Sequence, residues 1–310
     1  MKIALIGGAG FIGVNLCETL LAQGHTVHVF DRPNSDSLYS DVIRNQVHWF
    51  EGDFLTSDDL LPAIQGCEVV FHLVSTTLPK TSNDNPASDV NENVIGSIHL
   101  MEEAKKCGVR RVIFISSGGT IYGRPEYSPI DESHPTDPTC SYGISKLTIE
   151  KYLALYNELH DLDYIVLRLS NPFGEHQRLA AAQGVIAVFL GKVMNAETIE
   201  IWGDGSVMRD YIYIGDVVDA MMAAIHYGGD EHIFNIGSGQ GKTLLEVLSV
   251  IGHVTNLPVN RCFMPGRDFD VPSNVLSIDR AKHELAWSPN TDFSDGVRRT
   301  FDWYKAHGSN

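Results

Sequence analysis

Apolar residues along this chain fall into two spacings. Short continuous runs at residues 2–6, 26–30, 47–50, 68–73, 111–115 and 164–169 read as strands buried on both faces. Between them the spacing turns helical. Val14, Leu16, Cys17, Leu20 and Leu21 form one apolar stripe, ended by Gly24. A helix opens near Ser57, and a long amphipathic one spans about 89–106 and stops at Gly108, after a loop at 84–88. Another carries Tyr142 and continues to about His160, with Leu147, Leu153, Leu155 and Leu159 on its apolar positions. Strand and helix in alternation predict an α/β chain, a doubly wound parallel sheet with helices on both faces. Beyond Pro172 the pattern loosens. It predicts a helix at 184–194, a strand at 199–202, a helix at 217–226 and a loop with a short strand at 257–272. A short helix capped by Asp279 and a last helix at 293–304 follow. These later pieces predict a small C-terminal substrate-binding lobe, interspersed with chain that returns to the first sheet.

The polar residues with chemical potential sit where the strands end. The first strand runs into Gly7-Gly8-Ala9-Gly10-Phe11-Ile12-Gly13 and then into a helix. Glycines in such a turn let the backbone approach a pyrophosphate, and the helix N-terminus supplies N–H groups and positive dipole. Asp31 ends the second strand, where a carboxylate accepts hydrogen bonds from both ribose hydroxyls of an adenosine and repels a 2′-phosphate. NAD is therefore favoured over NADP, although the adjacent Arg32 is a residue type that accommodates that phosphate. Asp53 follows the third strand, placed to meet an adenine amino group, to cap the helix near Ser57, or both. The loops at Ser75-Thr76-Thr77 and at Ser116 to Tyr122 follow the fourth and fifth strands. Ligands of open α/β sheets bind beyond the carboxyl ends of strands, so all these positions share one expected site. The division expected is residues 1–172 as an NAD-binding Rossmann domain and 173–310 mainly as the substrate lobe.

Charge narrows the partners. The chain has 310 residues, with 23 basic against 39 acidic, a net charge of −16. That balance argues against nucleic acid or an anionic membrane as partner. It leaves room for an anionic small ligand held by a few arginines. Cys17, Cys67, Cys107, Cys140 and Cys262 are scattered without a paired motif, as expected of reduced thiols in a cytoplasmic protein. No apolar run reaches membrane-spanning length, and the sequence opens on a strand pattern without a charged leader. The histidines form no ligand cluster, so no metal site is expected.

Ser141-Tyr142-Gly143-Ile144-Ser145-Lys146 then gains meaning. On a helix, Tyr142 and Lys146 share a face. An ammonium beside a phenol is expected to lower the phenol's pKa and suit it to moving a proton from a sugar hydroxyl. With these motifs the chain resembles the extended short-chain dehydrogenases/reductases, and among them the NAD-dependent nucleotide-sugar epimerases and dehydratases. The likeness includes the glycine turn, the Ser116-Ser117 loop ending in Tyr122-Gly123, and Tyr142 with Lys146. It continues with Arg168 to Pro172, Arg209-Asp210-Tyr211, and Arg267 with Asp270. The resemblance implies that Tyr142 is the acid/base, that Lys146 holds the nicotinamide ribose, and that Asn93 lines the site. It makes Gly7, Gly10, Phe11, Ile12, Gly13, Asp31, Arg32, Asp53, Phe54, Leu73, Asn93 and Ser116 the cofactor set, together with Tyr142 and Lys146. Ser117, Asn171, Arg209, Arg267 and Asp270 form the substrate set, for a UDP-sugar or similar nucleotide sugar. A homodimer built on the helices of Asn93 and Tyr142 is implied as well.

The sequence departs from the epimerases at Gly118, where a serine or threonine hydroxyl usually assists the tyrosine. Thr120 is the expected substitute, with Ser117 as the other hydroxyl within the loop. Gly119 and Thr120 stand where the dehydratases carry an acidic pair, which argues against water elimination. Asn274 occupies a place where, in these epimerases, bulk excludes N-acetylated sugars, and asparagine is of intermediate size. The function implied is C4 epimerisation through a 4-keto sugar. The alternatives are a 4-keto-sugar reductase using NAD(P)H and a non-catalytic NAD-binding sensor.

Overall fold

The computed structural model describes residues 1–79, 81–179, 184–266 and 271–308. Arg267 and Asp270 lie outside the described residues. Along the first half run β1 (Lys2–Ile6), α1 (Phe11–Ala22), β2 (Thr26–Asp31), α2 (Asp41–Arg44), β3 (His48–Glu51), α3 (Ser57–Ile64) and β4 (Val69–His72). After them come α4 (Pro86–Asp89), a π-helical turn over Val90–Ile95, α5 (Gly96–Lys106), β5 (Arg111–Ser117), α6 (Ser141–His160) and β6 (Asp163–Leu169). The second half holds β7 (Asn171–Phe173), α7 (Val185–Met194), β8 (Ile199–Trp202), β9 (Met208–Tyr213), α8 (Ile214–His226) and β10 (Ile233–Ile236). It ends with β11 (Gly241–Thr243), α9 (Leu244–Thr255), β12 (Arg261–Met264), β13 (Ser273–Asn274), α10 (Asp279–Glu284) and α11 (Phe293–His307).

The main sheet is parallel, in the order β10-β6-β5-β4-β1-β2-β3. Its strands read as unbroken apolar runs because alternate side chains enter different cores. Ile3, Leu5, Val69, Phe71, Ile113 and Ile115 face α1 and α8. Ala4, Ile6, Val70, Val112 and Phe114 face α3, α5 and α6. The chain reverses its winding between β1 and β4, which opens the crevice where such sheets bind ligands.

The second half contributes to two places. β10 pairs with β6 in the main sheet, and α8 covers that sheet beside α1. The lobe proper packs α7, α9 and α11 around Ile199, Ile201 and Tyr211. There β9 pairs with β7, β11 and β13, and β8 pairs with β12.

Three local expectations change. The helix expected over about 89–106 begins earlier, at Pro86 after an Asn85 cap, and passes through the π-helical turn before α5. Thr56, not Asp53, is the N-cap residue of α3; the Asp53 carboxylate accepts the Leu55 N–H at 2.9 Å and shapes the turn ahead of that helix. Ile278 occupies the N-cap of α10 and Asp279 is its first residue. β10 and α9 escape the apolar pattern, yet α9 carries a readable start: Thr243 and Glu246 form a reciprocal capping box.

Candidate active site

The glycine turn packs where side chains have no room. Gly7 has φ +83°, and a Cβ there would lie 2.7 Å from the Val74 nitrogen. A Cβ on Gly13 would collide with the Gly8 backbone, so α1 crosses the turn at the distance only glycine allows. The N–H groups of Gly7 and Gly8 both donate to the Phe30 carbonyl, at 2.8 and 3.2 Å. Asp31 closes the turn by accepting the Ala9 N–H at 2.9 Å on one oxygen and the Arg32 N–H at 2.9 Å on the other. α1 begins without a side-chain cap and without an acid in its first turn. Its leading N–H groups and positive dipole thus remain available to a phosphate. Gly10 is its N-cap, and Phe11 and Ile12 are partly buried against the core. Arg32 is exposed. These are features a dinucleotide pyrophosphate and an adenosine ribose fit.

Other positions mostly build the walls. Leu73 lies beyond the end of β4, its N–H on the Ile6 carbonyl at 2.8 Å. Asp53 is exposed, whereas the Phe54 ring is buried against Gly96 and His72. Asn93 is 5 % exposed and commits its amide internally: Oδ1 accepts the Thr76 N–H at 3.1 Å, and Nδ2 donates to Thr76 Oγ1 at 3.0 Å and Asp89 Oδ1 at 3.0 Å. Its task in the structure is to fasten the Ser75–Thr77 loop to the π-helical turn. Ser116 is also spoken for, donating to Glu150 Oε1 at 2.6 Å.

Tyr142 is the second residue of α6, half-buried, its N–H held by Ser82 Oγ at 3.0 Å and its phenol hydrogen-bonded to Ser75. Lys146, one turn on and only 4 % exposed, places Nζ 5.7 Å from the Tyr142 ring centre. Nζ donates to the Ile115 carbonyl at 3.0 Å and lies 4.7 Å from the centre of the Phe114 ring. The expected lowering of the phenol's pKa does not occur. Burial outweighs the bond from Ser75 and pushes Tyr142 up to about 12. Burial likewise pulls Lys146 down to about 8, against the opposing pull of Glu150 and Asp89.

Gly118 has a structural cause. A Cβ there would lie 2.6 Å from Leu276 Cδ1, so Leu276 occupies the space a side chain would need. The Gly118 N–H donates to the Leu169 carbonyl at 2.8 Å, and its own carbonyl accepts Asn274 Nδ2 at 3.3 Å. Nearby, Thr120 Oγ1 is buried without a hydrogen-bond partner among the described residues, and Ser117 is half-buried. Asn171 Nδ2 donates to the Asp210 carbonyl at 2.8 Å, and Arg209 Nη1 donates to the carbonyls of Met208 at 2.8 Å and Val271 at 2.7 Å. Arg209 is therefore a half-buried, oriented cation rather than a solvated one.

Glu150, which escaped the sequence reading, forms a buried ion pair with Arg168 at 2.6 Å. It lies one turn beyond Lys146, and that i, i+4 spacing was its available signal.

A family model described as the NAD dependent epimerase/dehydratase family matches residues 3–237. The chain belongs to this family. It is accordingly an enzyme, with NAD as its cofactor. The UDP-glucose 4-epimerase of Mycolicibacterium smegmatis is 34% identical over 310 residues, covering 98% of this chain and 99% of that one. The dTDP-4-dehydro-6-deoxyglucose reductase of Escherichia coli is 34% identical over 302 residues, covering 95% of each. The crystal structure of the Thermotoga maritima UDP-glucose 4-epimerase with UDP-glucose superposes with a TM-score of 0.93 at 32% identity, over 99% of both chains. The fold of this epimerase/dehydratase family member is thus shared along its whole length with that structure.

Proposed function

We propose that this enzyme epimerises C4 of a UDP-activated hexose or N-acetylhexosamine through a 4-keto sugar. The observation that carries the reading is Tyr142 beside Lys146, with the glycine turn and Asp31 at carboxyl ends of strands of the same parallel sheet. The similarity to UDP-glucose 4-epimerases over the whole chain supports it. Bound NAD supplies the hydride acceptor. The glycine turn and the α1 N-terminus hold its pyrophosphate, and Asp31 holds the adenosine ribose. Tyr142 takes the C4 hydroxyl proton and later returns one, while the Lys146 ammonium holds the nicotinamide ribose and stabilises the phenolate as it forms. Asn171 and Arg209 hold the nucleotide diphosphate, with Arg267 and Asp270 completing the grip. Holding the nucleotide rather than the sugar leaves the keto sugar free to turn over between the two faces. Thr120 Oγ1, buried and unpartnered among the described residues, is the hydroxyl that replaces the one absent at Gly118. Asn274 is buried with Oδ1 unpartnered among the described residues, an acceptor suited to the N–H of an N-acetyl group.

The test is incubation with UDP-glucose, UDP-N-acetylglucosamine and their 4-epimers, with no added reductant. Interconversion of one pair is expected; inertness toward all of them sinks the reading. Thr120→Val with undiminished turnover removes Thr120 from it. The reductase likeness favours a second reading, a 4-keto-sugar reductase. Asp31 weighs against NADPH, and NAD retained through purification separates the two. We further propose a homodimer through α6, which exposes Ile144, Leu155 and Leu159. Sedimentation at twice the monomer mass checks it, and a monomer at assay concentration overturns it.

A further inference from the structure

Asp89 ends α4 and is 0 % exposed. A carboxylate so placed is ordinarily ion-paired. Among the described residues Asp89 forms no ion pair. Neutral donors hold it instead. Thr77 Oγ1 and Asn93 Nδ2 (3.0 Å) donate to one oxygen; Ser141 Oγ (2.8 Å) and Ser145 Oγ (2.6 Å) donate to the other. Ser141 and Ser145 lie one turn apart on α6, and Tyr142 and Lys146 are the next residues along the same turns. Thr77 belongs to the loop whose Ser75 bonds the phenol. The same segment makes further ties: Tyr142 N–H to Ser82 Oγ at 3.0 Å and Ser141 N–H to Asn83 Oδ1 at 2.9 Å. One carboxylate therefore joins the start of the catalytic helix, the loop facing the phenol and the π-helical turn.

Hydroxyl donors can reverse, so a neutral amide at position 89 would satisfy the same neighbours. The full charge is not needed for packing, and in an apolar interior it acts strongly on what lies beside it. Resting on the proton-transfer role given to Tyr142 above, we propose that Asp89 is a positioning residue for that tyrosine. Its carboxylate locks the first turn of α6 to the Ser75–Thr77 loop, and its negative charge favours the protonated phenol. Lys146 on its own helix lies 5.7 Å from the Tyr142 ring centre, and Cys140 before it and Asp89 across from it are the ionisable groups that act on its phenol. Lys146 in turn feels Glu150 and Asp89. Burial pushes the phenol's pKa up most and Ser75 pulls it down, while Cys140 and Asp89 add smaller upward pushes.

Two variants test this in NAD-loaded protein. Ultraviolet titration of phenolate, with Tyr142→Phe as the blank, isolates Tyr142. Asp89→Asn is expected to lower its titration by on the order of a few tenths of a pH unit, and the pH profile of turnover should move the same way. Ser141→Ala/Ser145→Ala keeps the charge and cuts the tether. There kcat is expected to fall about tenfold, the cost of a lost hydrogen bond's worth of positioning, with KM unchanged. An unmoved titration in Asp89→Asn overturns the proposal, and so does full turnover in the double variant. Should Asp89→Asn fail to fold, the double variant decides alone. A wild type without epimerase activity would overturn the proposed function and leave the titration standing.

Discussion

Lys146 is buried at a cost that its proposed role at the nicotinamide ribose explains. Burial pulls its pKa from 10.5 to about 8, so a reaction needing the ammonium is expected to decline as pH rises past about 8. A pH–rate profile of kcat checks this. The stability effect has the opposite sense. Between about 8 and 10.5 the unfolded chain keeps a proton the folded chain has lost, so this group makes stability rise with pH there. Lys146→Met is accordingly expected to abolish turnover without lowering the melting temperature. Tyr142→Phe, which removes the proposed acid/base, is expected to cut kcat by about a hundredfold to ten-thousandfold with NAD binding intact. Gly118 offers a packing test. Gly118→Ser forces a Cβ against Leu276 and is expected to cost about 1–3 kcal/mol. In a double-mutant cycle with Leu276→Ala the combined loss should fall short of the sum, because the smaller residue frees the space. Additive losses would show that the two do not share it. The glycine was visible as a departure in the sequence, but its cause was not, since 158 residues separate it from Leu276.

At the scale of elements, α6 works because it can approach the 118–123 loop closely. Gly143 makes that approach: a Cβ there would lie 2.9 Å from the Thr120 carbonyl and 2.9 Å from Pro138 Cβ. Alanine is intrinsically the better helix former by about 1 kcal/mol. Packing should win over that preference. Gly143→Ala is expected to shift the helix start that carries Tyr142 and to lower kcat by on the order of a hundredfold, with circular dichroism unchanged. Undiminished turnover would mean that the loop yields instead. The spacing of Tyr142 and Lys146 and the length of α6 were legible in the sequence, because helical periodicity is local. The π-helical turn was not. Its register follows from Asn93 and Asp89 bonding Thr76, Thr77, Ser141 and Ser145, partners that lie on other segments.

For the molecule as a whole, the main sheet is not the property of the first half. β10 pairs with β6 along Ile233–Ile236, and the core beneath α1 includes Val217, Met221, Ile225, Phe234 and Trp287. A fragment ending at residue 172 would expose that core. It is expected to show no cooperative thermal transition by circular dichroism, in contrast to the full chain; a cooperative melt would show that residues 1–172 fold alone. The alternating strands and helices, the glycine turn and the acid closing β2 were determined by sequence alone. Each depends on local spacing, on backbone room that only glycine supplies, or on a strand's carboxyl end. The tertiary structure decided what distance along the chain conceals. It set Leu276 against Gly118, carried β10 back to β6, and buried Asp89 among donors from three segments. It also reversed the expected shift of Tyr142, because desolvation depends on everything packed around a group and not on its neighbour four residues away.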